Sequence, residues 1–220
     1  LETKEVYAIE AHRLGPFSDH LNDESVVFDL MIHDIDIVNS LVSDGLTEVS
    51  VFGASPRSTA IDHAVALLKF GNDVLVTTTA SHVTHGKIRT LNVTTEDAYI
   101  SLDYQQQEII VQRRGVGQTE PLLNQSGYRT ETITESPYVK TREPLKMELE
   151  HFLSCCRTRS EPRVNGSDGV QAVKIATDLI SQLSSKSPTT HPTLGQLTIR
   201  PGQSKTDTIR SHRSGRAAPH

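Results

Sequence analysis

The sequence predicts an α+β domain in which one large, predominantly antiparallel β-sheet carries helices on one face. Three observations support this class: a short strand and a helix open the chain, seven strand-like segments follow between residues 47 and 135, and two helical segments come after them. Because only short turns separate the strand-like segments, neighbouring segments are predicted to pair as antiparallel hairpins. Helices that are segregated from a long antiparallel run pack on one side of its sheet.

The first two elements are a strand over residues 4–12 and a helix over residues 24–43. The segments that follow are rich in β-branched and aromatic residues, which are typical of strands. Their sequences are EVSVFGAS, DHAVALLKFG, DVLVTTTASHV, KIRTLNVTT, AYISLDY, EIIVQRR and YRTETIT. The third carries Thr and Ser at alternate positions, which indicates a half-polar sheet face that is open to solvent or covered by a partner subunit.

Two helices are predicted at the C-terminal end of the domain. The first covers residues 143–158 and has Pro144 in its first turn, where proline is favoured. The second covers residues 168–185, with Asp168 as its N-cap residue. The domain is therefore predicted to span residues 1–188.

Residues 189–220 differ in composition from the rest of the chain. They are rich in Thr, Ser, Pro, Gly, His and Arg, and five basic residues against one acidic residue give them a charge of +4. We predict a disordered basic tail. The whole chain has a net charge of -5, which argues against a nucleic-acid-binding protein. No apolar run reaches the roughly 18 residues of a membrane-spanning helix, so no membrane association is expected.

The two cysteines, Cys155 and Cys156, are adjacent in the sequence. Neighbours on a helix point about 100° apart, so a disulfide between them would be strained. Neither cysteine has a metal-like spacing to another cysteine. We interpret them as small, half-buried helix residues of a protein in the reducing cytoplasm.

The helix over residues 24–43 carries the polar residues of greatest chemical interest. Apolar residues fill most of its circumference, so the helix is predicted to be buried. A stripe of carboxylates and an imidazole on such a helix is costly unless it lines a cavity or is fully paired. Asp34 lies off the stripe and is expected to have a local partner. Four residues form the stripe, within about 60° of each other on a helical wheel: Asp29, His33, Asp36 and Ser40.

Three interpretations of this stripe remain open. A satisfied Asp–His pair at i, i+4 can simply stabilise the core. Asp and His at i, i+4 and i+7 can ligate a metal, although no further ligand is evident to complete the site. His33, oriented by a carboxylate, can act as a general acid–base. Oxidation of an alcohol needs such a base, because the hydroxyl proton must leave while hydride leaves the carbon.

The string DLMIHDID, on a helix that follows a short first strand, resembles the catalytic helix of the Gfo/Idh/MocA oxidoreductases. The resemblance continues from Asp62 to Tyr104, with an apolar strand, a Gly-Asn turn, a Thr/Ser/Ala-rich strand, a K-x-R strand and a D-x-x-I-x-L-D-Y edge. It resumes from Val164 to Ser185, where a Gly-rich turn precedes an Ala-rich helix. These segments cover nearly all of residues 4–187.

Resemblance to this family implies a two-domain enzyme, in which a Rossmann domain binds NAD or NADP and the sheet domain binds substrate and builds a homo-oligomer. It implies that His33 is the acid–base residue and that Asp29 contacts the substrate or tunes His33. The substrate would be a sugar, a nucleotide sugar or a polyol. The further candidates for substrate binding are Asp36, Arg13 on the first strand, and Lys87 and Arg89 in the K-x-R strand.

The nucleotide-binding half of such an enzyme is not evident in these residues. No G-x-G-x-x-G motif occurs; Gly115 and Gly117 follow a strand, but Glu120 stands where the third glycine should be. We therefore expect another domain to hold the cofactor, and this chain alone to be inactive. The alternative is a non-catalytic binding or oligomerisation module that uses its open sheet face.

Overall fold

The computed structural model describes residues 5–18, 24–115 and 132–185. The strands of this part are β1 Val6–Leu14, β2 Leu46–Ala54, β3 His63–Phe70, β4 Leu75–Ser81, β5 Ile88–Thr95, β6 Ala98–Asp103, β7 Glu108–Arg114 and β8 Thr132–Glu135. Its α-helices are α1 Ile32–Leu41, which continues a π-helical turn at Val27–Met31, α2 Pro144–Thr158 and α3 Gly166–Ser185. The predicted α+β class is confirmed.

The strands form one eight-stranded sheet with the order β2-β3-β4-β1-β5-β6-β7-β8. Every pairing is antiparallel except that of β1 with β4, in which Ala8 lies beside Leu75. The prediction of a predominantly antiparallel sheet is therefore confirmed.

The short connection between β4 and β5 does not form a hairpin, so the prediction that each short turn joins paired strands is wrong at this point. β1 lies between the two strands and pairs with both of them. The connection, residues 82–87, therefore passes over the end of β1. Gly15 holds it there, because the Gly15 N–H donates to the carbonyl of Ser81 at 2.8 Å and the Gly15 carbonyl accepts from the Thr84 N–H at 3.1 Å.

The core lies between one face of the sheet and the helices α1 and α3. Alternate residues of the central strands are buried on this face, as the period of a strand requires. Gly53 of β2 allows α3 to approach closely, because a Cβ atom there would lie 2.9 Å from a side-chain carbon of Leu183. The residues buried in this layer include Ile9, Ala11, Val51, Ala66, Leu68 and Val76 of the sheet and Ile35, Val38, Ile175 and Leu179 of the helices.

Both C-terminal helices begin close to their predicted positions. Pro144 is at the start of α2, as predicted. The N-cap of α3 differs: Asn165 Oδ1 accepts from the N–H groups of Ser167 and Asp168, and Asp168 Oδ2 accepts from the Asn165 N–H at 2.8 Å. Asp168 is thus the acidic partner of a reciprocal capping box rather than the N-cap itself.

The other face of the sheet is open and mixes apolar with hydroxyl side chains. Thr77 and Thr79 lie on it, whereas Thr78 of the same strand is buried on the helix side. The half-polar face predicted from the alternation along β4 is present. Its large exposed apolar residues include Phe52, Val65, Leu67 and Leu75, which are 40–68% exposed.

Several predictions concern positions outside the described residues. The tail at 189–220, the start of the last predicted strand at residues 128–131, Gly117 and Glu120 all lie there. The domain boundary at residue 188 stays a prediction. In the described part, no helix is both long enough and apolar enough to cross a membrane. Both cysteines are free, with Cys155 buried and Cys156 exposed.

Candidate functional site

A pocket of about 270 Å³ opens on the helix side of the sheet, at the edge where β1 and β4 end and β5 begins. The parallel pairing of β1 with β4 places both C-terminal ends at this edge. The antiparallel β5 brings its first residues to the same place. The polar side chains in the wall are those of Arg13, Ser18, Asp29, His82, Lys87 and Arg89.

Arg13, near the end of β1, is fixed in the wall by Asp34 of α1. Its Nη2 donates to Asp34 Oδ1 at 2.7 Å, and its Nε lies 3.1 Å from both carboxylate oxygens. The side chains of Arg13 and Asp34 are only 11% and 1% exposed. The guanidinium also lies 5.9 Å from the ring centre of Tyr104. Burial raises the pKa of Tyr104, as does the negative charge of Asp34, while Arg13 opposes the rise.

Asp29 in the π-helical turn is paired with His82, which directly follows β4. Nε2 of His82 and Oδ2 of Asp29 are 2.8 Å apart. The His82 side chain is 3% exposed and that of Asp29 is 31% exposed. The imidazole therefore fixes the carboxylate of a residue that lines the pocket.

His82 is itself positioned by Asp62, in the loop that precedes β3. The His82 N–H donates to the Asp62 carbonyl at 2.8 Å. The buried Asp62 carboxylate accepts from the N–H groups of Arg57 and Ser58 at 2.6 and 2.9 Å, and from Ser58 Oγ. Burial raises the pKa of Asp62, but these hydrogen bonds and the nearby His82 outweigh it, so the pKa is lowered.

Replacing Asp62 by Ala should lower the free energy of unfolding by roughly 1–3 kcal/mol at neutral pH, because it leaves buried donors unsatisfied. The folded-state pKa of Asp62 is depressed, so its contribution is present above the ordinary aspartate pKa and is lost as the pH falls through the folded-state value. Urea unfolding at a series of acidic pH values measures this. A difference from wild type that stays constant down to the acid transition would contradict the assignment.

Lys87 and Arg89 occupy the opposite wall of the pocket from α1. Lys87 is exposed and Arg89 is half-buried. Among the residues that the structure describes, neither side chain forms an ion pair with a carboxylate.

His33 and Asp36 lie on α1 outside this pocket. The buried positions of the π-helical turn and α1 form a single face that includes Met31, Ile35 and Val38, and the predicted polar stripe lies opposite it. His33 is exposed and Asp36 is half-buried. Burial raises the pKa of Asp36, and so does the charge of Asp168 at the start of α3, whereas His33 lowers it.

The prediction that this helix is buried on all sides is therefore wrong. Its apolar residues outside the core face, such as Leu30, Ile32 and Ile37, are only partly buried, and Phe28 and Leu41 are 38% and 48% exposed. Asp29 of the stripe lines the pocket, whereas His33 and Asp36 lie outside it. Within the described ranges, no group of three or more His, Cys, Asp or Glu side chains is placed to hold a metal ion.

The structure brings together four of the predicted site residues, namely Arg13, Asp29, Lys87 and Arg89, and leaves His33 and Asp36 beyond the pocket wall. It adds two residues to which the sequence analysis assigned no role in the site. Asp34 holds Arg13 and His82 holds Asp29. The sequence signal for His82 is its position directly after the Thr-rich strand β4.

Residues 5–101 match a family model described as the Gfo/Idh/MocA C-terminal domain. The chain is also 30% identical, over 146 residues, to the UDP-N-acetylglucosamine 3-dehydrogenase of Acidithiobacillus ferrooxidans. That alignment covers 66% of this chain and 44% of the relative. This chain therefore spans less than half the length of the curated relative that it matches.

Solved structures share the fold. A structure of the Acidithiobacillus ferrooxidans UDP-N-acetylglucosamine 3-dehydrogenase matches with a TM-score of 0.73 at 24% identity, covering 83% of this chain and 56% of that chain. A levoglucosan dehydrogenase in complex with NADH and L-sorbose matches with a TM-score of 0.64 at 15% identity, covering 82% of this chain and 57% of that chain.

Proposed function

Since this chain belongs to the Gfo/Idh/MocA family through its C-terminal domain, we propose that it is the substrate-binding part of an NAD(P)-dependent dehydrogenase that oxidises a hydroxyl group of a sugar, a nucleotide sugar or a polyol. One observation carries the proposal: the exposed His33 lies four residues after Asp29, which is in the wall of a polar pocket. A proton acceptor thus borders a site that is suited to a polyhydroxylated ligand.

Oxidation of a hydroxyl group removes a proton from oxygen and a hydride from carbon. NAD(P), when bound, accepts the hydride. His33 accepts the proton, since an imidazole changes charge near neutral pH. Asp36 lies close enough to His33 for their charges to interact, and its carboxylate stabilises the imidazolium that forms.

The pocket residues hold the substrate in this proposal. Asp29, whose carboxylate is fixed by His82 at 2.8 Å, accepts hydrogen bonds from sugar hydroxyl groups. Arg13 is anchored by Asp34 and gives the wall a fixed donor. A relative that acts on UDP-N-acetylglucosamine and a structural neighbour that acts on levoglucosan support a sugar as substrate.

The cofactor is NAD or NADP and is held mainly by a nucleotide-binding domain outside the residues described here. The open side of α1 fits the nicotinamide end of such a cofactor, because partly exposed apolar side chains flank His33 on both sides of the helix. These side chains are Phe28, Ile32 and Ile37. A flat aromatic ring covers such a surface without leaving buried polar groups unpaired.

The complete gene product that contains these residues tests the proposal directly. It should reduce NAD⁺ or NADP⁺ when it is given a substrate from one of the three classes, for which UDP-N-acetylglucosamine, glucose and myo-inositol are suitable representatives. The absorbance of the reduced nicotinamide measures the reaction, and a reaction without sugar is the control. If neither NAD⁺ nor NADP⁺ is reduced with any of these compounds, the dehydrogenase proposal is contradicted. The alternative of a non-catalytic binding or oligomerisation module is then favoured.

We also propose that the open sheet face forms a homo-oligomer. It presents Phe52, Val65, Leu67 and Leu75 to solvent together with threonine side chains. A contiguous apolar surface of this kind is typical of an interface between subunits. This surface lies on the side of the sheet opposite the pocket, so subunit assembly and substrate binding do not compete.

Replacing Leu67 by Glu should convert the oligomer to monomers, because assembly would then bury an unpaired charge between two sheets. Light scattering coupled to gel filtration measures the mass. Val164→Glu, at a 58% exposed apolar residue between α2 and α3, is the matched control and should leave the mass unchanged. A monomeric wild-type protein, or an unchanged mass for Leu67→Glu, would rule out the sheet face as the interface.

Finally, we propose a cytoplasmic location. Cys155 and Cys156 are both free thiols, and free thiols persist in a reducing compartment.

A further inference from the structure

Two positively charged residues lie opposite each other on neighbouring strands in the pocket wall. Arg13 of β1 and Arg89 of β5 are direct cross-strand partners. Like charges in this position destabilise a strand pair. Asp34 compensates Arg13 at 2.7 Å, but no described carboxylate compensates Arg89. Within the described ranges, Arg89 is therefore a half-buried cation without a paired carboxylate.

Lys87 adds a second cation without a described counter-ion to the same wall of the pocket. It lies two residues before Arg89, so both side chains point to the same face of the sheet, and both line the pocket. The other charged groups of the wall have partners, since Arg13 pairs with Asp34 and the Asp29 carboxylate contacts His82. Lys87 and Arg89 are therefore the two cations of the wall without a described counter-ion, and two cations can offset the two negative charges of a diphosphate diester.

A second pocket of about 250 Å³ adjoins the first, and the two share Pro16 and Phe17 in their walls. It contains the Arg57 guanidinium, 5.2 Å from the centre of the Phe17 ring, together with the polar side chains of Thr84 and His85. Each pocket alone is smaller than the roughly 300–1,000 Å³ of a site that encloses a drug-sized ligand. The two together fall within this range.

We propose that Lys87 and Arg89 bind the diphosphate of a nucleotide sugar, with the sugar beside Asp29 and the nucleoside beyond Phe17 in the second pocket. This inference rests on the proposed dehydrogenase function and narrows its substrate to one of the three classes. Arginine suits the role, because its planar fork donates two parallel hydrogen bonds to phosphate oxygens. Phe17 offers a face on which a base can stack, and Thr84 and His85 offer hydrogen-bonding groups to its edge.

The nicotinamide cofactor also contains a diphosphate, so the experiment must separate the two sources. Isothermal titration of the complete gene product measures the dissociation constants of UDP, inorganic pyrophosphate and NADPH or NADH. Arg89→Ala should weaken the binding of UDP and pyrophosphate by roughly 10- to 100-fold and leave the reduced cofactor unaffected. Arg89→Lys keeps the positive charge but not the planar guanidinium. It should weaken the binding of UDP and pyrophosphate less than Arg89→Ala does.

Two further variants sharpen the test. Arg114→Ala, at an exposed arginine near the end of β7, removes the same charge away from the pocket and should change none of the constants. Phe17→Ala should weaken the binding of UDP more than that of pyrophosphate, since only UDP has a base to stack on the ring. Thermal unfolding of each variant separates loss of binding from loss of fold.

The outcomes distinguish the two proposals. If wild-type protein does not bind UDP, or if Arg89→Ala weakens UDP and the cofactor equally, the diphosphate site is wrong, even where a simple sugar is oxidised. If UDP binding depends on Arg89 as expected but no sugar or nucleotide sugar reduces the cofactor, the site stands and the dehydrogenase proposal fails.

Discussion

Replacing His33 by Ala in the complete gene product should reduce kcat by roughly 10²–10⁴, the usual contribution of a positioned general base. The side chain is exposed on the open side of α1 and takes no part in the core, so the loss should occur without loss of stability. The dissociation constants of cofactor and substrate are the more specific readout. They should stay near the wild-type values, because the variant loses proton transfer and not binding.

Ser40 provides the matched control for His33. It is exposed on the same polar stripe, and its hydroxyl donates only to the carbonyl of Ile37 in its own helix. Ser40→Ala should therefore keep the wild-type kcat. His33→Asn, which keeps the polarity and much of the size of the side chain, should behave like His33→Ala. If His33→Asn retained wild-type turnover, His33 would not be the acid–base residue.

Replacing Asp34 by Ala should lower the free energy of unfolding by roughly 3–5 kcal/mol, because it leaves the Arg13 guanidinium buried without its counter-ion. Asp34 is 1% exposed and Arg13 11% exposed, with three N–O contacts of 2.7–3.1 Å between them. Urea unfolding followed by circular dichroism measures the change. The wall of the substrate pocket should also become less ordered, because Asp34 would no longer hold the Arg13 side chain.

The exposed pair Lys146–Glu150, whose nearest charged atoms are 4.0 Å apart, gives the comparison. Glu150→Gln should change the unfolding free energy by less than about 1 kcal/mol. The double variant Arg13→Met/Asp34→Leu should recover most of the stability that Asp34→Ala loses, since apolar residues of similar volume can replace a buried ion pair. A cost for Asp34→Ala as small as that for Glu150→Gln would contradict the buried-pair interpretation.

Asp34 also shows where inference from a single sequence stops. The helical period groups Asp29, His33 and Asp36 from residues close in the chain, but only Asp29 lines the pocket. The partner of Asp34 lies 21 residues away on β1, and no local pattern predicts which strand packs beneath a helix. Apolar residues around the whole helix likewise predict burial without revealing which side this domain leaves open.

His82 and the β4–β5 connection illustrate the same limit. His82 contacts Asp29 from 53 residues away, so the strand pattern alone gives it no role. The strands themselves are predicted well, because alternation and turn residues are local. Their order in the sheet is not local: nothing in residues 82–87 indicates that β1 lies between the strands that they join.

The central place of β1 has a consequence for biosynthesis. β1 ends at Leu14, but its parallel partner ends at Ser81 and its antiparallel partner at Thr95. Ribosomes add roughly 5–20 residues per second, so β1 waits seconds for hydrogen-bonding neighbours. During this time its apolar residues, such as Ile9, are not yet covered by the strands and helices that bury them in the folded domain. The nascent chain therefore exposes the apolar residues of β1 until β5 has been translated.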